Sequence, residues 1–355
     1  VCSRMGISLL HPEESWEMPV DPVSRILDTG SNSATKAWKS FPSLEDAIDT
    51  CDAVHLVSGD GSLELLDRVP KNTAVHLHLL EPHRGLHEDV LHREIDGSPK
   101  RNLKLTRALL TKARNADLRA VRALAERPNS AISGNSRYTA SRISEIYDVK
   151  AGVLHPSVVT EEFPEQAGSD ETMPATFSGD YAVSVGRASW AKGTWETVSM
   201  LSGTSLALAH VGGGDKDDLD RLSSHAHNCS VELWIAPRLS SNEMAALMRG
   251  ARAVVSMAHG EPFGLTPIEA FSVGTPALFV DEGGFRDSIV NGENGRLLAR
   301  DDIAGWHANL EMVKDSMVRE QWSKAGRERI SELGLSPENH CSRLLKILDS
   351  IHDDA

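Results

Sequence analysis

The sequence lacks a hydrophobic run long enough to cross a membrane, since no stretch approaches the ~20 consecutive apolar residues that a transmembrane helix needs. Its first residues also lack the charged and then apolar pattern of a signal peptide. Cysteine is scarce, and no two cysteines form a C-x-x-C pair: they are Cys2, Cys51, Cys229 and Cys341. These absences predict a protein of the reducing cytoplasm with no transmembrane segment, zinc site or disulfide framework.

Positive charge is also scarce overall, because 37 Lys and Arg face 51 Asp and Glu, for a net charge of −14. This balance argues against a generally basic nucleic-acid binder. Residues 100–127 are the exception, with nine basic and two acidic residues and so a local net charge of +7. In a helix, the basic stripe would be Lys100, Lys104, Arg107, Arg114 and Arg122, with an apolar face of Leu105, Leu109, Ala113, Ala116 and Leu124. Two interpretations stay open for the stripe: a solvated surface, or a contact surface for a phosphate-bearing partner.

The second half of the chain alternates regularly between two patterns. Five β-rich runs are each followed by a turn signal and a helical pattern, at residues 181–185, 206–211, 231–235, 253–257 and 276–280. Repeated βα units predict a parallel sheet covered by helices on both faces. A ligand would bind such a sheet outside the carboxyl ends of its strands.

The first half is less regular but similar in kind. Its predicted strands are residues 53–57, 74–80 and 130–133, with a short one near Val153, and residues 136–147 form a predicted helix. An acidic segment with Pro and Gly separates the halves. We therefore predict an N-terminal Rossmann-like domain (1–160), a linker (161–178), a C-terminal domain (179–335) and a last segment (336–355) with a helix over 337–351.

The stretch HGEPFGLTPIEAFSVGTPALFV, residues 259–280, has the pattern of a loop that leads into a short helix. Thr266 followed by Glu269 matches a capping box, Pro267 suits the first helical position, and Gly274 suits a left-handed C-terminal cap. A helix N-terminus after a glycine-containing loop is suited to an anion. Glu269 can therefore be a capping residue or a ligand-binding carboxylate, whereas Glu261 has no evident capping duty.

Two cations follow the first strand of the second half. Arg187 and Lys192 would lie at its carboxyl end, where they could neutralise a leaving diphosphate without a metal ion. The next strand leads into VGGGDKD, residues 211–217, which is not the G-x-G-x-x-G fingerprint of a dinucleotide-binding dehydrogenase.

Together these motifs resemble the donor domain of the retaining GT-B glycosyltransferases of family 4, over about residues 180–300. The shared features are Gly186-Arg187 with Lys192-Gly193, the E-x7-E of Glu261 and Glu269, the turn at 274–276, Gly283-Gly284, and the Asn-Gly pairs at 291–292 and 294–295. The resemblance implies an α/β GT-B fold, in which two Rossmann-like domains face each other across a cleft. It also implies that the last helix packs back on the N-terminal domain.

For the site, the resemblance implies that Arg187 and Lys192 hold the diphosphate, that Glu269 binds the ribose hydroxyls and that Glu261 binds the transferred sugar. The further donor-binding residues that it implies are Gly186, Arg238, Leu239, Phe263, Gly264, Leu265 and Thr266. In such enzymes a strand histidine approaches the donor sugar, and His78 matches that position better than His76. His55 is expected to be structural.

The function that the resemblance implies is retaining, metal-independent transfer of a sugar from a nucleoside-diphosphate sugar to an acceptor hydroxyl. UDP-sugar is favoured over GDP-sugar, and the donor is a co-substrate, with no cofactor expected. The alternatives are a GT-B epimerase or hydrolase, and a nucleotide-sugar-binding module without turnover. The family's opening Gly-Gly loop is missing, so the resemblance does not indicate the acceptor. The basic stripe supplies the only indication: Lys100, Lys104 and Arg107 suggest a polyanionic acceptor, either DNA with hydroxymethylated bases or an anionic lipid surface.

Overall fold

The computed structural model describes residues 44–58, 62–168 and 172–353. The beginning of the predicted N-terminal domain, with Cys2, lies outside these residues. The chain divides into two compact units. The first unit holds the described residues up to His87, Leu110–Ser157 and the segment from Pro337 onward, and the second holds Glu88–Leu109 and Val158–Ser336.

The first unit is built on four parallel strands that pair in chain order. They are β1 (Ala53–Val57), β2 (Ala74–Leu79), β3 (Ser130–Gly134) and β4 (Gly152–Val153). Every residue of β2 is buried, as expected for a parallel strand covered on both faces. The helices of this unit are Leu44–Asp49, Arg84–His87, Thr111–Ala125, Arg137–Tyr147 and Pro337–Asp353, and residues Ser62–Arg68 form a 3-10 helix.

The second unit is built on six parallel strands. They are β5 (Tyr181–Val185), β6 (Ala207–Val211), β7 (Leu233–Ile235), β8 (Ala253–Ser256), β9 (Ala277–Val280) and β10 (Gly295–Leu298). Their order is β10-β9-β8-β5-β6-β7, so the direction of winding reverses at β5, between β8 and β6. In a doubly wound sheet, the crevice at that reversal is where a ligand binds.

The helices of the second unit bury side chains in its core, except for Leu103–Leu109, in which no residue is buried. They are Leu103–Leu109, Thr194–Leu201, Lys216–Asn228, Ser241–Gly250, Thr266–Ser272, Phe285–Ser288, Ile303–Met312 and Ser316–Leu333, with 3-10 turns at Val90–His92, Thr160–Glu162 and Trp190–Lys192. Trp306, Phe271 and Phe279 are among the largest side chains that are fully buried. The continuous β-branched and aliphatic runs of the sequence therefore form the central strands.

Every strand predicted from the sequence is present, with ends that differ by at most two residues. The prediction missed β10, because the short run GRLL follows two Asn-Gly turn signals and shows no alternation. The predicted final helix is present and extends to Asp353.

The basic region differs more from its prediction. It forms two helices, Leu103–Leu109 and Thr111–Ala125, and Glu88–Leu109 belongs to the second unit instead of the N-terminal domain. Ile95 explains this placement, because its side chain is buried in the core of the second unit. The predicted apolar face is also wrong at four of its five positions, since Leu105, Leu109, Ala113 and Ala116 are exposed and only Leu124 is buried.

Candidate functional site

The candidate donor site lies on two loops that leave the central strands of the second unit. The first loop follows β5, begins at Gly186 and includes the turn Trp190–Lys192. The second follows β8 and ends where the helix Thr266–Ser272 begins. Because β5 and β8 are paired, parallel neighbours, their carboxyl ends open at the same edge of the sheet.

The structure brings Lys192 and Glu261 together across these two loops. The ammonium of Lys192 donates to Oε2 of Glu261 at 2.6 Å. Both side chains are only partly buried, so the pair remains within reach of a ligand. Arg187 lies in the same loop as Lys192 and is exposed, and its carbonyl accepts a hydrogen bond from Thr194 Oγ1 at 3.4 Å.

The two loops fit tightly against each other at Gly193. Its φ is +61°, and a Cβ there would lie 1.9 Å from the carbonyl oxygen of Met257. The backbone N–H of His259 donates to the carbonyl of Ala191 at 2.9 Å, which ties the loops together a second time. The position of the Lys192 ammonium over Glu261 is therefore set by close backbone packing.

Glu269 is placed differently from the capping residue that its spacing suggested. The helix Thr266–Ser272 has Leu265 as its N-cap, with no side-chain capping bond, and Pro267 is its second residue. The capping-box prediction is therefore wrong, whereas the left-handed cap at Gly274 is confirmed by a φ of +77°.

The carboxyl group of Glu269 is short of hydrogen bonds in the described part of the chain. Its Oε2 is buried and has no hydrogen-bond partner there. Burial, and secondarily the nearby charge of Glu162, raises the pKa of Glu269 to about 7. A buried carboxylate oxygen without a donor is costly, so this group is suited to accept hydrogen bonds from a ligand.

The remaining residues of the 261–266 loop support these carboxylates. The backbone N–H of Gly284 donates to the carbonyl of Glu261 at 2.7 Å, so the Gly283-Gly284 turn is tied to the loop by a hydrogen bond. Phe263 is buried in the core, Gly264 has a φ of +83°, and Leu265 is exposed. The loop is thus anchored in the core at Phe263, while Leu265 is exposed.

Arg238 and Leu239 follow β7, at the far side of the same sheet. Arg238 is exposed, and Leu239 packs partly against the core of the second unit. Within the described ranges, no recorded hydrogen bond or ion pair joins Arg238 to Lys192 or Glu261. Their role in binding a nucleobase stays a prediction.

Four residues that the sequence analysis did not single out support the Lys192 loop. The rings of Trp190 and His259 stack with centroids 4.6 Å apart, and His259 Nε2 lies 2.7 Å from Glu196 Oε2. Arg300 donates to the same Glu196 oxygen at 3.1 Å and to the Met257 carbonyl at 2.7 Å. Each of these contacts joins residues more than 40 positions apart in the sequence, so no local spacing could have indicated them.

The first unit contributes a cluster of neutral histidines on β1 and β2. The Nδ1 atoms of His55 and His76 lie 2.9 Å apart, and His76 Nε2 lies 2.9 Å from the Ser133 hydroxyl. His78 is buried, and its Nε2 has no hydrogen-bond partner among the described residues. Burial, with the neighbouring histidines, lowers the pKa to about 4 for His55 and His78 and to about 2 for His76.

This geometry distinguishes the two histidines between which the sequence left a choice. Both ring nitrogens of His76 lie within hydrogen-bonding distance of protein groups, whereas Nε2 of His78 has no such partner in the part of the chain that the structure describes. The rings of His78 and His340 lie 6.0 Å apart, and His340 Nδ1 donates to the His155 carbonyl at 2.7 Å. His340 lies on the helix Pro337–Asp353, which packs on β2.

The basic stripe proves to have mixed roles. Arg114 and Arg122 donate to the carbonyls of Leu86 and Tyr147, at 2.7 Å each, which makes these two arginines structural. The three residues predicted to bind the acceptor lie in the second unit: Lys100 and Lys104 are exposed, and Arg107 is paired with Asp89.

The described ranges contain neither a metal-binding cluster nor a membrane-spanning helix. Among residues 44–58, 62–168 and 172–353, no group of three or more His, Cys, Asp or Glu side chains is arranged to hold a metal ion. In the same residues, no helix combines the length and the apolar character needed to span a bilayer.

Two solved structures show the class of fold. Sucrose-phosphate synthase from Thermosynechococcus elongatus superimposes with a TM-score of 0.70 at 17% identity, over 96% of this chain and 83% of that chain. A glycosyltransferase from Rickettsia africae superimposes with a TM-score of 0.66 at 15% identity, over 100% of this chain and 87% of that one. The fold is that of the GT-B proteins, with two Rossmann-like domains, as the sequence predicted.

The sequence comparisons then show which family the second unit resembles. Residues 178–329 match the family described as glycosyl transferases group 1. Glycogen synthase from Mycobacterium tuberculosis is 29% identical over 187 residues, which are 50% of this chain and 44% of that protein. D-inositol 3-phosphate glycosyltransferase from Frankia alni is 28% identical over 207 residues, 51% of each protein. Residues 178–329 are thus similar to the group 1 glycosyltransferases, and the chain spans about half the length of these curated relatives.

Proposed function

We propose that this protein transfers a sugar from a nucleoside-diphosphate sugar to an acceptor hydroxyl, with retention of anomeric configuration and without a metal ion. UDP-sugar is the favoured donor and GDP-sugar the second choice. The structure of HepE from Anabaena in complex with UDP-glucose supports this preference, because it has the same fold, with a TM-score of 0.62 at 14% identity. That structure covers 88% of this chain, and this chain covers 83% of it.

The buried carboxyl of Glu269 carries this proposal. It is not a helix cap, and its Oε2 has no protein donor in the described residues. The two hydroxyls of a ribose would supply the missing donors to an ionised carboxylate. Binding a ribose thus gives a reason for a buried acid that the helix itself does not provide.

Charge at the same edge of the sheet supports a diphosphate beside that ribose. Lys192 and the exposed Arg187 lie on the loop after β5, and a departing diphosphate develops the negative charge that two cations stabilise. In this proposal the cations take the part that a divalent metal ion would otherwise play. Glu261, paired with Lys192, is then placed to accept hydroxyls of the transferred sugar.

The proposal also assigns a role to the first unit. We place His78 at the transfer step, because its ring is neutral and Nε2 has no partner among the described residues. A neutral imidazole can exchange a hydrogen bond with a sugar hydroxyl without adding charge. A cytoplasmic location is proposed because the sequence has only four cysteines, which are widely scattered and form no C-x-x-C pair.

A donor screen tests the proposed function. UDP-sugars and GDP-sugars are incubated with the full chain in EDTA, with and without candidate acceptors, and nucleotide release and sugar products are measured. We expect nucleotide release that depends on an acceptor, and its loss in Glu269→Ala. The matched control is Glu320→Ala, because Glu320 is an exposed acid on the helix Ser316–Leu333.

Each alternative predicts a different outcome. Release of nucleotide and sugar into water without any acceptor would indicate a hydrolase, and conversion of the donor sugar in place would indicate an epimerase. Donor binding without turnover for any acceptor would indicate a binding module. Activity that appears only after Mg²⁺ or Mn²⁺ is added would overturn the metal-independent part of the proposal.

A further inference from the structure

The helix Leu103–Leu109 is unusual because none of its seven residues is buried. Leu105 is 60% exposed and Leu109 is 71% exposed. These leucines are four residues apart and so lie on the same face of the helix. An isolated helix of this length is marginal in water, since most helices in proteins are stabilised by burying an apolar face. This one presents its apolar face to solvent.

The exposed leucines are surrounded by positive charge. Residues 100–109 contain four basic residues and no acidic residue, in a chain whose net charge is −14. Lys100, Arg101 and Lys104 are exposed, and Lys104 is adjacent to Leu105, about 100° around the helix. Long basic side chains next to an apolar face can keep their charged ends at the level of lipid headgroups while the leucines enter the acyl boundary.

The fourth basic residue, Arg107, fixes the orientation of the helix. Arg107 projects about 200° around the helix from Leu105 and forms two hydrogen bonds with the carboxylate of Asp89, the Nε–Oδ1 distance being 2.9 Å. Hydrogen bonding to Arg107 lowers the pKa of Asp89, so the carboxylate stays charged. Arg107 is thereby held against Asp89, whereas Leu105 and Leu109 remain exposed.

We propose that the surface formed by Lys100, Arg101, Lys104, Leu105 and Leu109 docks on an anionic membrane. Charge complementarity selects the lipid, and the two leucines distinguish a bilayer from a nucleic acid. Phosphates of DNA or RNA are contacted by charged and polar side chains, whereas the acyl boundary of a bilayer also takes up exposed leucines. The inference rests on the proposed function only in placing the acceptor hydroxyl at that membrane.

Vesicle co-sedimentation tests the docking without any donor or acceptor. The full chain is mixed with vesicles of phosphatidylcholine alone and of phosphatidylcholine with phosphatidylglycerol, at low and high salt. We expect binding to the anionic vesicles only, weakened by salt. Leu105→Ser with Leu109→Ser should lower the partition coefficient by at least ~10-fold, since two apolar side chains are lost from the contact.

Matched variants distinguish binding through this surface from nonspecific binding. Met317→Ser removes a methionine that is 73% exposed on another helix, and Lys324→Glu reverses an exposed lysine. Both should leave vesicle binding unchanged, whereas Lys104→Glu should weaken it. The leucine variant should keep its melting temperature and its donor affinity, because neither leucine is buried or near Glu269 in the chain.

Several outcomes would overturn the proposal. One is an equal affinity for neutral and anionic vesicles, or none for either. Another is binding of duplex DNA that survives the leucine substitutions, which would assign the surface to nucleic acid. A third is dimerisation at high protein concentration that the leucine substitutions abolish. That result would show that the surface binds a second copy of the chain. If vesicles bind and no donor does, the docking stands and the proposed function fails.

Discussion

At the residue scale, Glu269 links the electrostatics of the site to its function. An acid whose pKa is raised to about 7 is only half ionised at neutral pH in the protein without ligand. Ribose hydroxyls bind best to the ionised form, because a protonated carboxyl would offer one acceptor fewer. Donor binding should therefore expel the proton and should depend on pH.

The corresponding prediction concerns the pH dependence of donor affinity. Below a pKa of about 7 the carboxylate must first lose its proton, so affinity should fall about tenfold from pH ~8 to pH ~6. Isothermal titration with a nucleoside-diphosphate sugar in several buffers measures it. Glu269→Gln cannot titrate and should bind weakly with a flat profile. An unchanged pH profile in that variant would assign the dependence to another group.

The proposed roles of Lys192 and Glu261 predict that their variants affect two ligands, the nucleoside diphosphate and the full donor, differently. Lys192→Ala should weaken binding of the nucleoside diphosphate and of the full donor alike, each about tenfold, since it removes a phosphate contact. Glu261→Gln should weaken only the full donor, because its proposed partner is the sugar. Competition titrations with both ligands measure this difference.

The stability of the two variants provides the control for that experiment. The pair is only partly buried, so its loss should change the free energy of unfolding by about 1 kcal/mol or less. Equal effects of Glu261→Gln on both ligands would contradict the assignment of Glu261 to the sugar.

At the scale of elements, the loop that contains Gly97 supports the candidate site. Its ends pair between Arg93 and Pro99, and Arg221 holds it to the second unit through Glu94, at 3.1 Å, and Asp96, at 2.6 Å. Gly97 has a φ of +82°, and a Cβ there would lie 2.6 Å from the Trp190 ring. The loop therefore packs closely against the turn that ends at Lys192.

Gly97→Ala should displace Trp190 and, with it, the turn that carries Lys192. We expect a loss of about 1–3 kcal/mol in unfolding free energy, together with weaker donor binding. Chemical denaturation and donor titration measure the two effects. Gly179→Ala is the matched control, because a Cβ at Gly179 meets nothing within 4 Å. Full donor affinity in Gly97→Ala would show that the loop does not position Lys192.

Elements also show how far the sequence alone could be interpreted. The strands of both sheets were predictable because parallel strands buried on both faces are continuous apolar runs with turn signals between them. The helix at Thr266 was predictable, but its cap was not, since the capping spacing also occurs where Glu269 turns inward. The exposed leucines were mistaken for a core face because helical periodicity does not tell which side a neighbour covers.

Contacts across long separations were beyond local patterns. Nothing in the spacing places Gly97 on Trp190 or Glu196 between His259 and Arg300, because tertiary packing alone brings these residues together. The pair of Lys192 and Glu261 was identified as two site residues, whereas their direct contact became visible only in the structure.

At the scale of the whole molecule, the histidine cluster should make the first unit sensitive to acid. His55, His76 and His78 have pKa values lowered to about 4, 2 and 4, whereas the unfolded chain titrates at about 6.5. Below pH ~6.5 the unfolded state therefore binds more protons than the folded state. Stability is full above that pH and falls as the pH decreases, by about 2 kcal/mol for each histidine at pH ~5.

Urea denaturation between pH ~7.5 and pH ~5 measures this acid sensitivity. His55→Gln can keep a hydrogen bond to His76 but does not titrate, so its unfolding free energy should depend less on pH than that of the wild type. His227→Gln is the control, because His227 is exposed on the helix Lys216–Asn228 of the second unit. Identical pH slopes in the wild type and His55→Gln would rule out the cluster as the cause.

The central claim is that the second unit binds a nucleoside-diphosphate sugar with Glu269 as a ligand-binding carboxylate. Isothermal titration of UDP-glucose and GDP-mannose into the full chain at pH ~8 with EDTA tests it most directly. The account predicts saturable binding of one donor by the wild type and by Glu320→Ala, and a loss of at least ~10-fold in affinity in Glu269→Ala. Undiminished binding in Glu269→Ala, or no binding of any nucleotide sugar by a folded wild-type protein, would contradict it.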